Sequence, residues 1–293
     1  MQTVKKQTLA VCAGVHATQD GLTSTVYVLL PILAQSLGLS YAQVGIVRAV
    51  YSGMMWVLEI PAGILSERFG EQRLLVFGLI AAGLGYGILS TVNSFYGVLF
   101  ALLIAGTGAA FQHSLSSALI SRVYDGPSRR VALGTYNASG DTGKLLFTGV
   151  ASLLFGVGIA WQTVVSGYGI LALLASAVLW LVLRRLRVKG AESIQARHPS
   201  TTASWGITER SGFKWLAAIV FVDIAVQDGF LVFVAFLMIE KNMPAGLAAF
   251  AVVATLAGGV IGKYACGHLS ARLGVCLLYT SDAADEGLGV DLG

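Results

Sequence analysis

Hydrophobic residues in this chain run in long blocks separated by short polar connections, with no sustained period-two alternation. Blocks of at least roughly 20 residues, the length a helix needs to cross hydrocarbon, fall near 8–35, 42–65, 73–92, 95–122, 131–157, 160–183, 213–239 and 245–268. The pattern therefore predicts eight spanning helices and no strands. The first block is too long for a cleavable signal peptide and lacks a small-residue cleavage site. The connections alternate in character: Glu67–Arg73, Tyr124–Arg130 and Arg184–Lys214 are rich in charge, whereas Gly38–Ala42, Val92–Phe95 and Val157–Ala160 carry none. Lys5, Lys6, Arg68, Arg73, Arg122, Arg129, Arg130, Arg184 and Arg185 thus fall on one side, and Lys241 is the clear exception. By the positive-inside tendency that side is cytoplasmic, which puts the N-terminus inside. The one long polar stretch, residues 186–212, follows an even number of spans and reads as a cytoplasmic linker. It divides an N-terminal six-helix half, 1–185, from two helices of a second half, 213–275.

Composition sharpens this picture. Of 293 residues, 56% are hydrophobic and 12% charged, against about 25% charged in a soluble domain, and the mean hydropathy is +0.76. Such a chain is an integral membrane protein, not a soluble enzyme, a disordered chain or a nucleic-acid binder. Cys12, Cys266 and Cys276 are too scattered for a disulfide framework or a zinc site, and neither a GKS or GKT phosphate loop nor an HExxH motif occurs. No enzyme activity, cofactor or metal is expected.

An internal repeat is legible. Gln19-Asp20-Gly21 in the first span returns as Gln227-Asp228-Gly229 in the seventh, 208 residues on, and GILSERFG at 63–70 returns as GHLSARLG at 267–274, 204 residues on. A repeat unit of six spans is even, so both copies sit the same way up, related by an axis along the membrane normal. GILSERFGEQR resembles the loop between the second and third helices of the major facilitator superfamily through Gly63, Leu65, Ser66, Arg68, Phe69, Gly70 and Arg73, with Glu67 in place of the usual aspartate. Within that superfamily, HATQDGLTSTVYVLLPILAQSLGLSYAQVG, GTGAAFQHSLSS and GTYNASGDTGK resemble the first, fourth and fifth helices of fosmidomycin-resistance-type efflux proteins. The likeness covers about residues 8–275. It implies an all-α membrane fold of two six-helix halves, here cut to about eight helices, and a carrier working by alternating access. It also implies that Gly63, Glu67, Arg68, Gly70 and Arg73 form a loop that controls conformation, with the two glycines allowing a tight turn.

Ionisable residues inside spans mark substrate and ion pathways. Here Asp20, Glu59, Asp141, Asp223 and Asp228 stand against Arg48, Lys144 and Lys263, with His16 and His113 besides. Five acids against three bases leave two carboxylates without a fixed cation, as a proton carrier requires. Asp20 and Asp228, mid-span at repeat-related positions, lead as coupling or substrate groups, and Asp20 has Arg48 or Lys144 as candidate partners. Asp141 and Lys144 are three apart on one helix face and read either as a local pair or as an attractor of an anionic substrate. Arg48 suits a salt bridge at the outer gate, and His113 a proton relay or substrate contact. Glu59 and Lys263, 204 residues apart, suit a gate-closing pair between halves.

Beyond Val275 the text CLLYTSDAADEGLGVDLG suits neither a helix nor a loop of this fold. It resembles a translated sequencing-library adapter, so residues 276–293 are expected to be an artefact and the natural protein to continue. The expectation is a monomeric secondary transporter in the bacterial inner membrane with a small-molecule substrate and the lipid bilayer as partners. Its work would be proton-coupled efflux of a drug or metabolite; uptake of a small organic anion is the alternative.

Overall fold

The computed structural model describes residues 2–186 and 210–273, so most of the linker and the whole of the tail at 276–293 lie outside the described residues. The described residues form helices, joined by short turns on either side of residues 187–209: α1 (Gln2–Leu37), α2 (Tyr41–Phe69), α3 (Glu71–Leu89), α4 (Phe95–Ala109), α5 (His113–Val123), α6 (Gly126–Gly156) and α7 (Trp161–Leu186) before them, α8 (Arg210–Glu240) and α9 (Ala245–Leu273) after them. Each predicted span coincides with one helix except the fourth, which α4 and α5 share. Residues up to Val253 make one compact unit and those from Ala254 another.

Local chemistry sets the helix ends. Ser40 opens α2 with a reciprocal cap in which its Oγ accepts from the Gln43 backbone N–H and the Gln43 side chain accepts from the Ser40 N–H, satisfying two donors that a helix start leaves orphaned. Gly70 ends α2 and opens α3 in a single residue at φ +80, a left-handed value that a Cβ would strain. The tight turn expected of both loop glycines therefore rests on Gly70 alone, and Gly63 sits about two turns earlier within α2, with open space where its Cβ would be. Pro61 inside α2 removes a backbone donor, and the helix bends by 52° there.

Five spans pass on length and apolar composition: Glu71–Leu89, Phe95–Val123, Trp161–Arg185, Ser211–Glu240 and Ala245–Gly262, with the bent α2 as a sixth. α1 and α6 are not among them. These two are each other's main packing partners, and His16 and Asp20 of α1 meet Tyr136 and Lys144 of α6 between them. On α7, by contrast, Ile170, Leu174, Val178 and Leu181 point outward, as hydrocarbon solvation favours. Small residues let the backbones close. A Cβ at Gly143 would strike the Ala17 backbone, and one at Gly78 would lie 2.7 Å from the Gly108 carbonyl oxygen, the close approach by which membrane helices gain van der Waals contact.

Candidate functional site

α1 carries His16, Asp20, Thr23 and Tyr27 at spacings of four, three and four, which puts them on one helix face. Two polar clusters form along that stripe.

The inner cluster centres on Asp20, which is only 4% exposed. Its Oδ2 lies 3.1 Å from Lys144 Nζ and 3.2 Å from His16 Nε2, and its Oδ1 lies 3.3 Å from His113 Nε2. Lys144 also reaches Asp141 at 3.2 Å. His16 is fixed from behind, because its Nδ1 donates to the Tyr136 backbone oxygen at 2.8 Å and its ring stacks on that of Tyr136 at 4.1 Å between centroids. Gln112 Nε2 donates to the Tyr136 hydroxyl at 2.8 Å. His113, the first residue of α5 just past the turn at Ala110–Gln112, meets Asp20 from α5. Gly140 is open to the cluster: a Cβ there would lie 2.5 Å from His16 Nε2 and 2.9 Å from Asp20 Oδ2. The donor atoms of His16, Asp20 and His113 lie within 4.8 Å of one another, near enough to share an ion. The Lys144 ammonium already occupies the same carboxylate.

The outer cluster joins α1 and α2 to α8. Asp228 Oδ1 accepts from the Tyr27 hydroxyl, Oδ2 lies 3.3 Å from Arg48 Nη2, and Ser52 Oγ donates to Oδ2 at 3.4 Å. Arg48 also donates to the Tyr27 hydroxyl, and its guanidinium stands 4.1 Å over the Tyr27 ring, a favourable cation–π placement. Arg48 is 6% exposed, and its Nε and Nη1 have no hydrogen-bond partner. Further along, the Tyr41 hydroxyl donates to Glu240 at 2.8 Å and its ring meets Phe233 and Phe236 edge-on. Tyr51 links the clusters, its hydroxyl 2.9 Å from Thr23 Oγ1 and its ring 5.5 Å from Arg48.

These contacts sort the predicted residues. Of the two cations offered to Asp20, Lys144 takes it, and Arg48 belongs to Asp228. Asp20 and Asp228 thus occupy separate clusters, each with a cation. Of the five intramembrane carboxylates, the two left without an ion pair among the described residues are Glu59 and Asp223, not the leading pair, because surplus charge in the sequence does not say which acid stays unmatched. Lys263's side chain lies outside the described residues, so its pairing with Glu59 has no geometry here. Glu67, Arg68 and Arg73 are exposed around Gly70 and form no ion pair among the described residues. Sequence reasoning missed Tyr27 and the fixed role of His16, both recoverable from the spacing of the α1 stripe. It also missed the buried Glu71, which pairs with Arg122 at the end of α5; an acid in the first turn of α3 was the available signal.

A family profile described as Major Facilitator Superfamily matches residues 9–281. The chain belongs to the major facilitator superfamily. Among curated members of that superfamily and related transporters, it is 29% identical over 84% of its length to a probable 4-methylmuconolactone transporter of Cupriavidus pinatubonensis, of which it covers 58%. It is 25% identical over 58% of its length to the fosmidomycin resistance protein of Escherichia coli, of which it covers 41%. A bacillibactin exporter of Bacillus subtilis is 29% identical over 43% of the chain, which covers 33% of that protein. The chain thus spans no more than about three-fifths of the length of these relatives. Among solved structures, a bacterial homologue of the human lysosomal transporter Spinster, inward-facing and unoccupied, superposes with a TM-score of 0.69 at 16% identity, over 93% of this chain and 64% of that one. The nucleoside transporter NupG gives 0.67 at 14%, over 93% and 69%. The major facilitator fold and a multi-pass membrane protein follow, and the relatives are named as transporters rather than enzymes.

Proposed function

We propose that this major facilitator protein is a secondary active transporter that moves a small molecule by alternating access, driven by the proton gradient and without a cofactor, as a monomer in the bacterial inner membrane with its N-terminus cytoplasmic. The observation that carries the coupling is the inner cluster. Two imidazoles, an ammonium and two carboxylates meet in the middle of the span bundle, partly reachable by water through His113, whose side chain is 41% exposed. Groups so placed load and release protons as their neighbours change. The outer cluster supplies the gate: Tyr27, Arg48 and Ser52 hold Asp228 of α8, and rocking α8 away breaks these bonds. Efflux of a drug or metabolite is the direction supported by the exporter and resistance names among the relatives.

Uptake of a small organic anion is the second reading. Arg48 favours it, since its buried Nε and Nη1 have no partner and a carboxylate offers the matching acceptors. The likeness to a probable 4-methylmuconolactone transporter supports a small organic substrate. The test is transport in proteoliposomes with an imposed pH gradient and collapsed membrane potential, using fosmidomycin and 4-methylmuconolactone as separate probes. One-to-one proton coupling gives about tenfold accumulation per pH unit, since each unit is about 1.4 kcal/mol. Accumulation that ignores collapse of the gradient sinks the coupling, and the side on which probe accumulates decides the direction.

A further inference from the structure

Counting protons in the inner cluster gives more than the presence of charges. A backbone carbonyl can only accept, so the 2.8 Å contact between His16 Nδ1 and the Tyr136 oxygen requires the proton on Nδ1. A neutral imidazole has one N–H, and with it on Nδ1 the other nitrogen presents a bare lone pair. Yet His16 Nε2 lies 3.2 Å from Asp20 Oδ2. Two lone pairs at that distance repel, and a proton between them turns the contact into a charge-assisted hydrogen bond.

The neighbours decide where that proton belongs. Lys144 Nζ, 3.1 Å from the same oxygen, and His113 Nε2, 3.3 Å from the other, both favour an ionised Asp20. The other titratable groups that face the site are Cys12 one turn away on α1, Tyr51 of α2, and Tyr136 and Asp141 of α6. His16 and Asp20 are each 4% exposed, and an uncompensated charge so buried is costly.

We propose that His16 carries the exchangeable proton of this cluster, with Asp20 as its ionised counter-ion and His113 as the contact through which that proton meets water. The inference rests on the proton-coupling reading and gives it an address one helical turn from the aspartate that sequence alone selected. The Tyr136 carbonyl makes His16 a positioned carrier, fixing one nitrogen so that only Nε2 exchanges. The proton leaves along Nε2 to Asp20, and passes to water when His113 stands in its other tautomer, with Nε2 bare to accept from Asp20 Oδ1 and Nδ1–H released outward.

The test uses 15N-histidine NMR on the chain in lipid bilayers, with no substrate added. His16 is assigned by the signals lost in His16→Gln, and independently by those kept in a His113→Gln, His198→Gln, His268→Gln protein. The expected result at pH 7 is a His16 ring with both nitrogens protonated. In Gly140→Ala, which changes no titratable group but sets a methyl at 2.5 Å from Nε2, that signature is expected to revert to a single N–H. A wild-type His16 with a bare Nε2 overturns the proposal, as does an imidazolium unmoved by the Gly140 methyl. Because the spectrum needs no transport, its outcome is separate from the proteoliposome result: carriers blind to a pH gradient sink the coupling reading while leaving the protonation of His16 as measured.

Discussion

Asp228→Asn tests the outer gate most directly. It keeps size and one acceptor but removes the charge facing Arg48. At the observed 3.3 Å, the Coulomb attraction at an effective dielectric of about 20 is about 5 kcal/mol. Desolvation of Arg48, only 6% exposed, offsets part of that, and breaking a buried pair costs about 3–5 kcal/mol because the surviving charge is stranded. The Asp228 side chain is 28% exposed, so water softens the loss, and about 2 kcal/mol is expected. That is a shift of about thirtyfold in the equilibrium between closed and open outer ends. Spin labels at Ser36 and Lys241, with native cysteines replaced by serine, report the distance between α1 and the outer end of α8 by pulsed EPR. The expected result is a longer-distance population raised about thirtyfold relative to the short one. The decisive comparison adds Arg48→Gln: if the double variant shifts the distances by the plain sum of the two single shifts, the pair has no coupling energy and the gate assignment fails.

Further expectations concern packing and the inner cluster. Tyr41→Phe removes an exposed hydrogen bond to Glu240 and should move the same EPR populations by less than a factor of about three, since such bonds contribute on the order of 0.5 kcal/mol. Gly143→Ala forces its new methyl onto Ala17 backbone atoms, one of them 2.6 Å away, and should lower stability by about 1–3 kcal/mol in a detergent thermal-unfolding assay; Gly149→Ala, with open space around it, is the control and should not destabilise. Glu71→Gln strips the buried partner of Arg122 and should destabilise by about 1–3 kcal/mol in the same assay, discounted because Arg122 is partly solvated. Asp20→Asn should abolish pH-driven accumulation in proteoliposomes, and retained coupling would remove Asp20 from the mechanism.

Much of the fold is legible in the sequence because hydrocarbon imposes a length rule that soluble cores do not. Seven of the eight predicted blocks each match one described helix to within six residues at either end, and the fourth is shared by α4 and α5. The S-x-x-Q start of α2 and the glycine between α2 and α3 can be read in the same way. The interruption at Ala110–Gln112 cannot, since Gly106, Gly108 and the alanines beside them suit a continuous small-residue helix equally well, and only packing of Gly106 on the Tyr51 carbonyl and Gly108 on Gly78 distinguishes them. Of the site, residue types and the intramembrane charges of Asp20, Lys144, Asp141 and Arg48 are visible in advance. Their pairing is not, because it depends on which face α6 turns toward α1 and how far α8 approaches α2. Tyr27 and His16 fall between these cases: their spacing from Asp20 marks one face, but a tyrosine or histidine on that face gains meaning only from Asp228 or Tyr136 across the gap.

The mutual dependence of α1 and α6 also bears on how the chain is made. Asp20 leaves the ribosome 124 residues ahead of Lys144, and at about 5–20 residues per second that is a wait of about 6–25 s. During it a carboxylate near the middle of the first helix, worth on the order of 3 kcal/mol against insertion, has no cation from α6. The apolar run from Val26 to Leu33 must hold α1 in the bilayer meanwhile, or the helix must shelter in the insertion machinery until α6 arrives. The polar stripe that gathers Asp20, Lys144 and two histidines therefore makes the first helix a late-maturing one, its charges matched only when the fifth span has been translated.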